Sequence, residues 1–171
     1  MYPPIPSGEE CMYKAGDKIV YPMHGVGKIA DIEEKEILGQ KSRYYMIDII
    51  DSGMKVMIPV EKSDEIGIRK IVSKNEIAKV IDHIINGVTE HEDDWKIRYQ
   101  NNIEKVKSGS IFLVSEVARD LFKRGKDKEL SIMERKLYES AYKLIIHEVA
   151  MSKDIDIEEA ENLISEALSE A

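Results

Sequence analysis

The chain has 171 residues, 43% of them hydrophobic and 34% charged. This suits one domain or two small ones with a real core and heavily solvated surfaces. It also excludes a disulfide framework, since Cys11 stands alone, and a membrane span, since no apolar run approaches about 18 residues.

No basic, then apolar, then small-residue signal opens the chain, so a cytoplasmic protein is expected. The net charge of −8 argues against nucleic acid only as an average. Residues 1–94 hold 12 Lys and Arg against 18 Asp and Glu, residues 95–150 hold 12 against 8, and residues 151–171 hold 1 against 7. A block of +4 therefore lies between blocks of −6 and −6, and such a block can be an electrostatic footprint that the total hides.

Residues 1–12 carry three prolines and no periodicity, and are expected to be a disordered extension. Lys18-Ile19-Val20-Tyr21 is β-prone and closed by Pro22. Met23 to Gly27 reads as a turn, with two glycines supplying unusual backbone angles. Lys28 to Ile37 is strand-like, and its run of charges predicts a wet or strongly bent end. Leu38-Gly39-Gln40 signals a hairpin. Arg43 to Ile50 is the most β-prone run, Asp51-Ser52-Gly53 turns the chain, and Met54 to Pro59 alternates until proline stops it. Ile66 to Val72 offers a last strand, with nothing helical expected before Ser73. These recurring turns predict a small antiparallel barrel or strongly bent sheet.

The period then changes. Ser73-Lys74-Asn75-Glu76 is a capping box, followed by a stripe of Ile77, Val80, Ile81, Ile84 and Ile85 that Asn86-Gly87 should end. An acidic linker, Thr89 to Asp94, leads to a helix from Trp95 to Lys107, with Asp93 or Asp94 as its cap. Ser110 caps a third helix that Gly125 should stop. Ser131 to Glu134 is a second capping box opening a long helix to about Met151, and Asp156 caps a last acidic helix. The helices are amphipathic, so a compact bundle is expected.

Catalytic chemistry is not visible. His24, His83, His91 and His147 lack metal-site spacing. Met23-His24-Gly25-Val26-Gly27-Lys28 fails the phosphate-loop spacing, and the adjacent acidic pairs have no apolar pocket to raise a pKa. No enzyme, metal or cofactor is expected. Trp95, the single tryptophan, lies among Lys96, Arg98 and Tyr99. That pattern fits either an apolar wedge on a polyanion or a helix anchored to its own core.

Gly16 to Gly27 (GDKIVYPMHGVG) resembles the opening of the CarD/CdnL bacterial transcription regulators. Val56-Met57-Ile58-Pro59-Val60, Gly67-Ile68-Arg69, and Trp95 with Arg98-Tyr99 continue the match. So do Asn102-Ile103-Glu104-Lys105, Ser108-Gly109, Val117 to Leu121, and Leu130-Ser131 with Glu134-Arg135-Lys136. The order of the motifs, over about residues 13–168, is more specific than any one of them. The resemblance implies an α+β chain in three parts: the extension 1–12, a Tudor-like antiparallel β module over 13–72 that docks on the β subunit of RNA polymerase, and a DNA-binding helical bundle over 73–171.

By position, the polymerase face would include Lys35, Ile47, Met57 and Pro59, although Ile47 also fits the core of the sheet. The DNA face would include Trp95 as the wedge at the minor groove, with Lys96, Arg98, Arg135 and Lys136. Promoter DNA at the upstream bubble edge is the implied partner, and a stabilised open complex the implied result. Ile97 and Gln100 stand where some relatives are basic, which thins the phosphate contacts, and Lys96 with Lys123-Arg124 offers compensation. The alternative is a scaffold whose β module binds another protein and whose helices dimerise, for which Trp95 should be buried.

Overall fold

The computed structural model describes residues 13–89 and 91–171. The expected extension 1–12 and one residue of the acidic linker, Glu90, lie outside the described residues. The chain divides into two compact units, the first ending at Ile71 and the second spanning Val72–Ala171.

The first unit is an antiparallel sheet of five strands, β1 (Lys18–Tyr21), β2 (Gly25–Ile37), β3 (Gln40–Ile49), β4 (Lys55–Pro59) and β5 (Arg69–Lys70). Their order is β4-β3-β2-β1-β5. The charged end of the long β2 is wet, exposed from Glu34 to Ile37 and in regular register with β3; the register shifts earlier, between Ile29 and Asp31, a bulge that increases local twist. Ile19, Ile29, Tyr45, Ile47, Ile49 and Ile58 fill the concave side. The Tyr13 hydroxyl donates to the Ile68 carbonyl at 2.9 Å, closing the module.

Two readings of this unit need correction. Gly27 lies within β2 rather than in the turn, which is formed by Pro22, Met23 and His24. Its missing side chain serves a close approach, since a Cβ there would stand 2.9 Å from Ile47 Cγ2. The segment after β4 is also partly helical. A 3₁₀ turn (Val60–Lys62) runs into α1 (Ser63–Ile66), which leaves β5 only two residues. A four-residue helix is too short to show a period.

The second unit holds α2 (Lys74–Asn86), α3 (Trp95–Lys107), α4 (Ile111–Asp127), α5 (Ile132–Lys153) and α6 (Ile157–Glu170). The caps expected from sequence are formed. The side chains of Ser73, Ser110, Ser131 and Asp156 each accept from the backbone N–H three residues on. Asp94, rather than Asp93, caps α3 by accepting from Lys96 N and Ile97 N at 2.9 and 3.4 Å. The stripe of Ile77, Val80 and Ile84 packs with Val114, Val117, Leu121, Ile145 and Val149 in one core. The acidic α6 closes it with Ala160, Ile164, Ala167 and Leu168. Gly125 does not stop α4, which continues to Asp127. A helical glycine costs only about 1 kcal/mol, which tertiary packing readily offsets. The α+β architecture, a Tudor-like antiparallel module followed by a helical bundle, is therefore as expected. Among the described residues no helix is long and apolar enough to cross a membrane.

Candidate nucleic-acid and protein interfaces

Three helix ends meet at one end of the bundle. The Arg98 Nε donates to Glu134 Oε1 at 2.6 Å, which joins the first turn of α3 to the first turn of α5. A cleft of about 390 Å³ lies beside this joint, its lining mixed in charge: Arg98, Lys123, Arg124 and Lys128 face it together with Glu92, Asp93, Asp120 and Asp127. The C-terminus of α4 thus shares the end from which α3 and α5 start.

Trp95 is the first residue of α3 and is 49% exposed. Its neighbour Lys96 places its ammonium 5.8 Å from the indole centroid, within the range of an attractive cation–π contact. Ile97, Ile132 and Met133, also in the first turns of α3 and α5, are exposed. Arg135 and Lys136 follow Glu134 on α5 and are exposed. Among the described residues Arg135 has a long surface pairing with Glu129 at 4.0 Å, which contributes little. The structure therefore brings Trp95, Lys96, Arg135 and Lys136 to the same end of the bundle, with the indole and these cations exposed.

Arg98 belongs to the same end but not to its free surface. Its side chain is 12% exposed, and it is occupied by Glu134 and by the Glu92 carbonyl, to which Nη1 donates at 2.8 Å. The guanidinium expected to face phosphate is thus engaged within the protein by Glu134 and the Glu92 carbonyl. Lys123 and Arg124, offered by the sequence as compensating cations, line the cleft at this end, and Lys128 is an addition to them. Their signal in the sequence was the basic run 123–128, whose place depended on how α4 packs.

On the β module, cross-strand partners share a face while neighbours along a strand alternate. Lys35 pairs with Ser42, Tyr44 with Pro59, and Met46 with Met57. Lys35, Met57 and Pro59 thus share the outer face with Tyr44 and Met46. Met57 is 39% exposed, and Lys35 has a pairing with Glu33 at 3.5 Å. Ile47, which the sequence left open between this face and the core, is 1% exposed and opposes Val56, turned into the core. The odd–even alternation of β3 gives its place on the outer face to Met46.

Among the described residues no group of three His, Cys, Asp or Glu is arranged to hold a metal ion. Within α2, α3 and α4, Glu116 accepts from Lys105 Nζ at 3.0 Å and lies 2.9 Å from His83 Nε2. Burial pushes the Glu116 carboxyl up, but those two partners outweigh it and hold its pKa below the usual glutamate range.

Residues 13–72 match the family model described as CarD-like/TRCF RID domain, and residues 79–165 match the one described as CarD, C-terminal domain. A candidate transcription factor of Bacillus subtilis (strain 168), YdeB, is 40% identical over 144 residues, covering 84% of this chain and 94% of its own. Two solved structures from Myxococcus xanthus also align. CdnLNt is 44% identical and covers 36% of this chain and 87% of its own, with a TM-score of 0.32. The 72-residue N-terminal domain of CarD is 39% identical and covers 33% and 75%, with a TM-score of 0.29.

Proposed function

This chain belongs to the CarD family, and on that premise we propose that it regulates transcription by stabilising the open promoter complex. The β module docks on the RNA polymerase β subunit, and Trp95 wedges at the upstream edge of the transcription bubble. The observation that carries this reading is the half-exposed Trp95 at a helix end shared with Lys96, Arg135 and Lys136. An apolar side chain inserted at a base step keeps the minor groove open and favours separated strands, while the cations neutralise flanking phosphates. Lys123, Arg124 and Lys128 extend the cationic rim on the α4 side.

Docking makes this weak clamp effective. A net charge of −8 opposes binding to free DNA, but a protein held on polymerase meets the bubble edge at high effective concentration. The docking face is Lys35, Met57 and Pro59 with Tyr44 and Met46, and Ile47 supports it from beneath. An exposed methionine adapts to a partner surface, and Pro59 suits the end of an edge strand. Specificity then comes from the shape and deformability of the bubble rather than from base contacts. No bond is made or broken in this role, which is performed in the cytoplasm beside the polymerase. The exposure of Trp95 disfavours its reading as an anchor in its own core.

The test is the decay of promoter open complexes after challenge with a competitor. Added wild-type protein is expected to slow the decay several-fold. Decay at the same rate with and without the protein would contradict the proposal.

A further inference from the structure

The bridge between Arg98 and Glu134 is unlike a surface ion pair. Glu134 is 3% exposed, and its carboxylate is held from two sides. Oε1 accepts from Arg98 Nε at 2.6 Å, while Oε2 lies 3.5 Å from the Ser131 hydroxyl that caps α5. On the other flank Arg98 Nη1 donates to the Glu92 carbonyl at 2.8 Å and approaches that of Asp93 at 3.5 Å. One guanidinium therefore ties together the incoming linker, the first turn of α3 and the first turn of α5. A buried ion pair contributes little net stability over an apolar pair of the same shape. What this one fixes is direction.

Trp95 and Arg98 are three residues apart on α3 and so lie on the same side of the helix. The first turn is where a helix frays most readily, and in α3 it contains no acidic residue to support it beyond the Asp94 cap. Arg135 and Lys136 follow Glu134 directly, so the same bridge sets the wedge in register with the phosphate contacts. We infer that Arg98 and Glu134 are the positioning pair of the wedge: their buried bridge fixes the first turn of α3 and hence the direction in which Trp95 leaves the bundle. This rests on the reading of Trp95 as the wedge.

The discriminating variant is Arg98→Lys in the full chain, with Glu134→Gln as the second. Lysine keeps the charge but cannot reach two partners in different directions from one planar group. Because Trp95 is the single tryptophan, its emission and its quenching by acrylamide report its surroundings without a label. Both variants are expected to keep their helical circular dichroism, shift the Trp95 emission and quenching, and shorten open-complex lifetime several-fold toward that of Trp95→Ala. In a Trp95→Ala background, Arg98→Lys should add no further loss, because the pair acts only through the indole. The slope of log binding constant against log salt should stay unchanged for Arg98→Lys and Arg98→Gln alike. If Arg98 instead touches phosphate, Arg98→Lys keeps the lifetime and Arg98→Gln lowers the slope by about 0.9, which overturns the inference. Wild-type emission and lifetime in both Arg98→Lys and Glu134→Gln overturn it too, as does a loss that adds to that of Trp95→Ala. If Trp95→Ala itself leaves the lifetime unaltered, the wedge reading fails. The emission and quenching of Trp95 then still decide whether the pair sets its position.

Discussion

Arg119, like Arg98, spends its guanidinium inside the helical unit. It is fully buried in α4 and donates to Asp120 Oδ1 at 3.0 Å, to the His83 carbonyl at 3.0 Å and to the Val88 carbonyl at 2.9 Å. By donating to these carbonyls it holds the end of α2 and the start of the linker. Gly87 lies against this guanidinium, and a Cβ there would collide with Arg119 Nη1. Its backbone is extended, at φ −67° and ψ 153°, so glycine is needed here for its missing side chain and not for a left-handed backbone. Gly87→Ala should displace Arg119 from its carbonyls and lower stability by about 2 kcal/mol, the scale of a buried hydrogen bond to a charged group. Denaturant unfolding followed by circular dichroism measures this, and a change below about 0.5 kcal/mol would show that Arg119 relaxes without loss. Neither arginine's role could be read from sequence. Their partners stand up to 36 residues away, and a positive charge looks the same in the sequence whether it is committed inward or free for phosphate.

At the scale of elements, what is local in the chain was legible. The caps at Ser73, Ser110, Ser131 and Asp156 depend on groups within three residues, as does that of Asp94. Hydrophobic periodicity likewise placed β1, β4 and the five long helices. The failures occur where packing decides, at Gly125 inside α4 and Gly27 inside β2; for Ile47, left open between face and core, the parity of β3 gives the core. The junction of α2, α3 and α4 at Glu116 carries a pH signature. Its carboxyl is held below the usual range by Lys105 and His83 against the opposing effect of burial. A carboxylate depressed in the folded state contributes stability above its unfolded pKa and loses it as pH falls through the folded value. Glu116→Gln should therefore be less stable than wild type at neutral pH, with the gap closing on acidification below the ordinary glutamate range. Denaturation midpoints across that range check this. A gap independent of pH would mean that the ionised carboxylate is not what joins the helices.

At the scale of the whole molecule, the proposed docking on polymerase is what would bring a protein of net charge −8 to DNA. The motif order in the sequence conveyed the two-part organisation and the family, but motif order does not say which basic residues remain free once the helices pack. Met57→Asp tests the tether. Met57 is part-exposed on the outer face of β4, so the module should fold as before. A carboxylate brought into a desolvated contact is costly unless paired, and binding to the β subunit should fall at least tenfold, about 1.4 kcal/mol. Undiminished capture of the β subunit by a folded Met57→Asp variant would move the docking face elsewhere. The central claim is tested most directly by the lifetime of competitor-challenged open complexes with Trp95→Ala in place of the wild-type chain. The account predicts that the variant keeps its fold and its hold on polymerase, yet loses most of the several-fold extension of lifetime. A variant that prolongs the open complex as well as the wild-type protein does would contradict it.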